Sequence, residues 1–299
     1  DNADTWMLLA EVHQAAGDLD QAVQDAERAM DHLADKSPAL ILSGKIALSA
    51  NNPRLALSRA QSVLSTAPDN SQALHLMSHA LEALQRPDEA FNLLDKNIPK
   101  LKDPIPTQME KLMLLYRSKG LKVGLEALQG LVDDNTQIPE FLALLAQWLS
   151  EANQADAAVK TARAALQFDQ SRLSLGQQAQ LYRLIGLKMK ESGQLDQAIH
   201  SLSQSVQLEP DCIDHFLNLA SAYQELREHA QALKILEQAK TRFPEDYRPY
   251  YQSGIVYKDN KEYVEAEKML RLAAKMAPGE VSIHRMLGAV VALNLVHNR

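Results

Sequence analysis

The sequence predicts an all-α protein, an α-solenoid built of antiparallel helix pairs, and three observations carry that prediction. The first is internal repetition. Phe216, Leu219, Ala220 and Tyr223 recur at three- and four-residue steps, so they form one stripe of a helix, and Ala232, Leu236 and Ala239 do the same on a second. One period of 34 residues later stand Tyr250, Gly254, Tyr257, Ala266, Leu270 and Ala273. One period earlier stand Tyr182, Gly186, Met189, Ala198 and Leu202. The second observation is punctuation: Pro210, Pro244 and Pro278 close these units, because proline cannot continue a helix. The third is composition, 46% hydrophobic and poor in the helix breakers, with only 11 Gly and 12 Pro in 299 residues.

A 34-residue self-similarity built from paired helices is the signature of tetratricopeptide repeats, and the chain resembles such an array over nearly its whole length. The resemblance implies a right-handed superhelix whose concave groove is lined by the first helix of each pair. Eight repeats are expected, at 3–36, 37–70, 71–104, 106–138, 139–172, 179–212, 213–246 and 247–280, with a final first-type helix at 281–299. They are read as one superhelical domain spanning residues 1–299.

Each repeat has its own justification. In 3–36, Trp6, Ala10, Gly17, Ala22 and Ala29 hold the pattern, with His13 where the family usually has Tyr. In 37–70, Leu40, Gly44, Ala56 and Ala60 do so, and Asn51-Asn52-Pro53 supplies the turn. Leu74, Leu81, Ala90 and Leu94 mark 71–104, after which Pro99, Pro104 and Pro106 predict an irregular connection. The weakest repeat is 106–138, where Leu125 replaces a small residue. Ala146, Ala158 and Ala162 restore the pattern in 139–172. Residues 173–178 fall outside the period and either extend the next helix backwards or lengthen a loop. Helices are expected at about positions 1 to 14 and 18 to 31 of each frame, with no strand.

The net charge of −7 argues against nucleic acid as a partner, since a phosphate backbone needs a basic footprint. No run of 18 apolar residues exists, so no membrane span is expected. The single Cys212 excludes an internal disulfide and a cysteine-cluster metal site, and suits reducing and oxidising compartments alike. A cytoplasmic setting is favoured over a periplasmic one. Phosphate-loop, dinucleotide, nucleophile-elbow and H-E-x-x-H motifs are missing, so no catalytic residue and no cofactor are assigned.

Two groups of residues are candidates for binding. His75, His79 and Glu82 lie four and three residues apart on one helix face. Two such imidazoles can share a zinc ion with the glutamate as third ligand, but one helix alone seldom closes a site, and a merely polar groove surface is the simpler reading. The second group is Arg183, Asn218, Arg248, Gln252 and Lys258, at groove positions of the last three complete repeats. Some tetratricopeptide adaptors hold a partner's C-terminal carboxylate with five groove residues. Arg183, Asn218 and Arg248 match that set in type, whereas Leu187 and Gln252 depart from it. The structural alternative is that the arginines only pair with neighbouring acids. Met7, Leu8, Ile41, Leu42, Leu76, Leu114, Ala143 and Leu144 give the earlier repeats an apolar groove, or else simply pack between helices.

The expected function is a non-catalytic protein–protein interaction scaffold that takes a peptide or partner segment in its groove. The resemblance also admits a regulatory or substrate-presenting region of a larger enzyme of glycosyltransferase or sulfotransferase type, or of a bacterial exopolysaccharide export system. The chain is read as a fragment of a longer protein, because Asp1-Asn2 parallels Asp69-Asn70 and because the helix from Val281 lacks a polar capping face. Used alone, such a fragment is expected to associate end to end.

Overall fold

In the computed structural model, which describes residues 2–132, 138–168 and 170–297, the chain folds into helices with no strand among the described residues. Sixteen helices follow one another two by two. They are α1 (Ala3–Ala16) with α2 (Leu19–His32), α3 (Ser37–Ser49) with α4 (Pro53–Thr66), α5 (Ser71–Ala83) with α6 (Pro87–Asn97), and α7 (Ile105–Lys119) with α8 (Leu121–Val132). After these come α9 (Pro139–Glu151) with α10 (Ala155–Gln167), α11 (Leu175–Glu191) with α12 (Leu195–Leu208), α13 (Ile213–Glu225) with α14 (His229–Arg242), and α15 (Arg248–Asp259) with α16 (Tyr263–Met276). All of these twos except α7 and α8 pack closely on each other. A last helix, α17, spans Val281–His297. The bounds follow the expected frame closely, and so does the irregularity. A 3-10 turn at Ile98–Lys100 precedes α7, and the extra residues before 179 extend α11 backwards behind a second 3-10 turn at Gln170–Arg172.

Local chemistry explains the bounds. Asn2, Asp18, Asn52 and Asn70 each accept an orphan backbone N–H of the helix they open. Ser174 and Gln177 form a reciprocal capping box at the lengthened α11. Within seven pairs the turn rests on one left-handed residue: Gly17, Asn51, Gln85, Asn153, Gly193, Arg227 or Lys261, with φ between 55° and 82°. The next amide then donates five residues back, as Asp18 does to His13 and Glu228 to Tyr223, both at 2.9 Å. This pattern satisfies carbonyls that the helix end would otherwise leave bare. The link from α7 to α8 differs. Gly120 alone links α7 to α8, at φ 87° and ψ 170°, a region only glycine tolerates.

Two compact units are present, residues 1–130 and 131–299. In the first, α1 touches α3, α3 touches α5, and α5 touches α7; in the second, α9, α11, α13, α15 and α17 touch in the same succession. Among the described residues no second helix of a pair meets the next second helix to that extent. The first helices therefore lie on the inner side of the curve within each unit. Small residues allow the tight packing within pairs: a Cβ on Gly186 would stand 2.6 Å from Leu202 Cγ, and one on Gly254 the same distance from Leu270 Cγ.

Candidate functional site

On the inner face of the first unit, α5 presents His75, His79 and Glu82 toward α7. The helix spacing puts them on one side, but each has found a different partner. His75 Nε2 lies 3.0 Å from Thr107 Oγ1, and His79 Nε2 lies 2.9 Å from Glu110 Oε1. Glu82 accepts two hydrogen bonds from Arg117, at 2.8 and 2.9 Å, and Arg117 also donates to Glu110 at 3.0 Å. The Glu110 hydrogen bond raises the His79 pKa despite burial, while burial lowers that of His75. Burial opposes the Glu110 carboxylate, yet His79 and Arg117 together hold its pKa below the usual value. The histidines and Glu82 thus belong to a closed polar network and do not converge on one point.

The apolar residues assigned to the inner faces of the two units are mostly packed away. Ile41, Leu42, Leu76, Leu114, Ala143 and Leu144 are all buried, whereas Leu8 is 62% exposed. The packing alternative accounts for them, because adjacent first helices approach closely enough to cover each other's side chains.

In the second unit the five candidate residues fall on α11, α13 and α15, and the structure divides them. Arg248 is held by Asp246, through Nε to Oδ1 at 3.0 Å and Nη2 to Oδ2 at 2.7 Å, and by Asp214 at 2.8 Å. Gln252 donates to the Leu217 carbonyl at 3.0 Å, bridging α15 to α13, and Lys258 pairs with Asp259 at 3.1 Å. Arg183 and Asn218, both half-buried, have no hydrogen-bond or ion-pair partner among the described residues. Arg183 stands on the wall of a depression of about 320 Å³ between α9 and α11, with Gln147, Glu151, Leu187 and Glu191. Cross-helix bonds frame this face: Gln147 to Gln180, Lys190 to Ser221 and Glu225, and Gln224 to Asp259.

One group escaped the sequence reading. Glu209, Cys212 and His215 bring a carboxylate oxygen, a thiol sulfur and an imidazole nitrogen within 4.8 Å of one another at the turn between α12 and α13. With a single cysteine, the chain gave no cysteine spacing to read. The available signal was His215, which stands where other repeats carry Ala39 and Ala73.

Comparison with known proteins agrees with the architecture. Tetratricopeptide repeat families match residues 190–254 and, separately, 3–31 and 247–280. A crystal structure of MamA superposes with TM-score 0.50 at 18% identity, covering 56% of this chain and 95% of MamA. The crystal structure of the APC/C hetero-tetramer Cut9-Hcn1 superposes with TM-score 0.53 at 13% identity, covering 91% of this chain. This chain spans 52% of that matched chain's length. At these identities the likeness is one of fold. No curated protein matches the sequence. The repeat frame, the seventeen α-helices among the described residues and the matches together fit a tetratricopeptide repeat array.

Proposed function

We propose that the chain is a non-catalytic protein-interaction scaffold that holds an extended partner segment on the inner face of its second unit, over α11 and α13. The observation that carries this is the unspent pair Arg183 and Asn218 on adjacent first helices, on a face whose other polar groups largely bond one another. A guanidinium not engaged in an ion pair can hold a carboxylate bidentately, and an asparagine amide can pair a peptide backbone through both its N–H and its oxygen. Repeat arrays offer extended surfaces of this kind for binding. Arg248, Gln252 and Lys258 serve the same reading as braces, since a ligand carboxylate at Arg248 would first have to displace Asp246 and Asp214. Among solved relatives, Cut9 is crystallised with Hcn1 in a hetero-tetramer, an assembly role consistent with a scaffold.

The test is a library of peptides ending in free carboxylates, compared with the same peptides amidated, titrated against the chain and its Arg183→Ala/Asn218→Ala variant. Free-carboxylate peptides should bind, and the double variant should lose at least about tenfold, the scale of a charge-assisted hydrogen bond. Equal binding to a folded double variant would overturn the assignment to α11 and α13.

A further inference from the structure

We propose that Glu209, Cys212 and His215 form a binding site for one zinc ion, at the turn that joins α12 to α13. The three ligand atoms already lie within 4.8 Å of one another, and His215 Nε2 is 2.9 Å from Glu209 Oε2. Ligand atoms around a tetrahedral zinc lie roughly 3.2–3.8 Å apart, as bonds of about 2.0–2.3 Å require. Reaching that spacing asks Cys212 and Glu209 to rotate and the 2.9 Å contact between His215 and Glu209 to open slightly. A thiolate, an imidazole and a carboxylate together favour a borderline-soft cation over calcium or magnesium, which prefer all-oxygen shells. Three protein ligands leave a fourth position for water.

Comparison along the repeats supplies an independent argument. Ala67 and Ala277 occupy the place of Glu209, and Asn70 and Asp246 that of Cys212. At the place of His215 stand Ala39, Ala73, Pro249 and Ile283, all buried. Packing therefore asks for a small or apolar residue there. His215 is nevertheless 1% exposed, and its Nδ1 has no hydrogen-bond partner. The imidazole is held at this apolar position by Glu209, through Nε2 to Oε2 at 2.9 Å, which sets that nitrogen beside the carboxylate. Cys212 and His215 have no counterpart of their type at these places in the other repeats, and they meet Glu209 at one point. Glu209 also faces Gly176 of α11, where a Cβ would lie 3.4 Å from its Oε1.

Binding requires the thiol to release its proton to solvent and the imidazole hydrogen to move from Nε2 to Nδ1, leaving Nε2 free for the metal. Each ion bound then releases about one proton to solvent.

The variants suited to the test are those that install residues other repeats carry, Glu209→Ala, Cys212→Asn and His215→Ala, so the fold has precedent for each. The full chain, stripped of metal, is titrated with zinc against a chromophoric chelator, and separately with cobalt(II). One equivalent of zinc should bind, and cobalt should give a thiolate charge-transfer band. Each variant should weaken zinc binding at least about tenfold, and Cys212→Asn should abolish the band. Absence of a one-equivalent zinc site would overturn the proposal. So would zinc binding unchanged in the three folded variants, or a cobalt complex without the thiolate band.

Discussion

The α5–α7 and α11–α13 faces occupy equivalent places in the repeat frame and have opposite electrostatic economies. On the first, two histidines, two glutamates, an arginine and a threonine bond one another across the gap between repeats. On the second, Lys190 is tied to Glu225, but Arg183 and Asn218 have no hydrogen-bond or ion-pair partner among the described residues. The first arrangement couples neighbouring repeats. The second leaves hydrogen-bonding capacity for something else. Similar residue types at similar frame positions can therefore serve stability or recognition, depending on what the next repeat places opposite them.

The largest effect that sharpens this contrast is expected at Arg117. Arg117→Met keeps the apolar stem but leaves Glu110, only 14% exposed, with His79 as its remaining partner, and frees Glu82. The loss should be about 1–2 kcal/mol, less than for a fully buried pair because water still reaches Arg117. Arg183→Met should stay within about 0.5 kcal/mol, and urea unfolding of the two variants measures the difference. Equal losses would erase the distinction between the faces.

A somewhat smaller effect concerns the turns beside these two faces. Gln85 (φ 60°) follows α5, and Gly193 (φ 76°) follows α11. A side chain in the left-handed region costs about 1 kcal/mol. Gln85→Gly should therefore raise the unfolding midpoint, and Gly193→Gln should lower it by a similar amount. Shifts of the same sign would show that these turns differ in more than backbone strain.

The smallest effect is a dependence on pH confined to the α5–α7 face. The folded pKa of His79 is raised above its ordinary 6.5, so its contribution is fully present below pH 6.5 and is lost as pH rises through the folded pKa. His75 is shifted the other way, so the folded state resists its protonation and stability falls as pH drops below 6.5. The two oppose each other in the native chain. His79→Gln should make the protein lose more stability on acidification from pH 7 to 5, and His75→Gln should make it lose less. Unfolding midpoints across that range check both signs, and a common sign for the two would contradict the network.

The helix bounds were legible because they rest on local chemistry: the 34-residue period, the closing prolines, and turn residues such as Gly17 and Asn51. The irregular stretch at Ile98–Lys100 was announced by its prolines. Site chemistry was less legible. His75, His79 and Glu82 share a helix face, as their spacing requires, but periodicity on α5 says nothing of Thr107, Glu110 and Arg117 on α7, which take up their bonding capacity. Arg248 shows the same limit, since the acids that hold it come from its own turn and from the preceding repeat.

The sequence by itself determined that this chain is an all-α repeat array, and where each helix starts and stops, because those depend on interactions within about four residues. Only the tertiary structure decided which polar groups remain available. Each first helix meets its neighbour about one repeat away, and the pairing of side chains across that gap depends on approach distances that no single repeat encodes. Leu42 and Leu76 became core, His79 and Arg117 became a brace between repeats, and Arg183 and Asn218 kept their hydrogen-bonding capacity. The meeting of Glu209, Cys212 and His215 has the same origin: the turn from α12 into α13 folds a carboxylate and a thiol onto a buried imidazole.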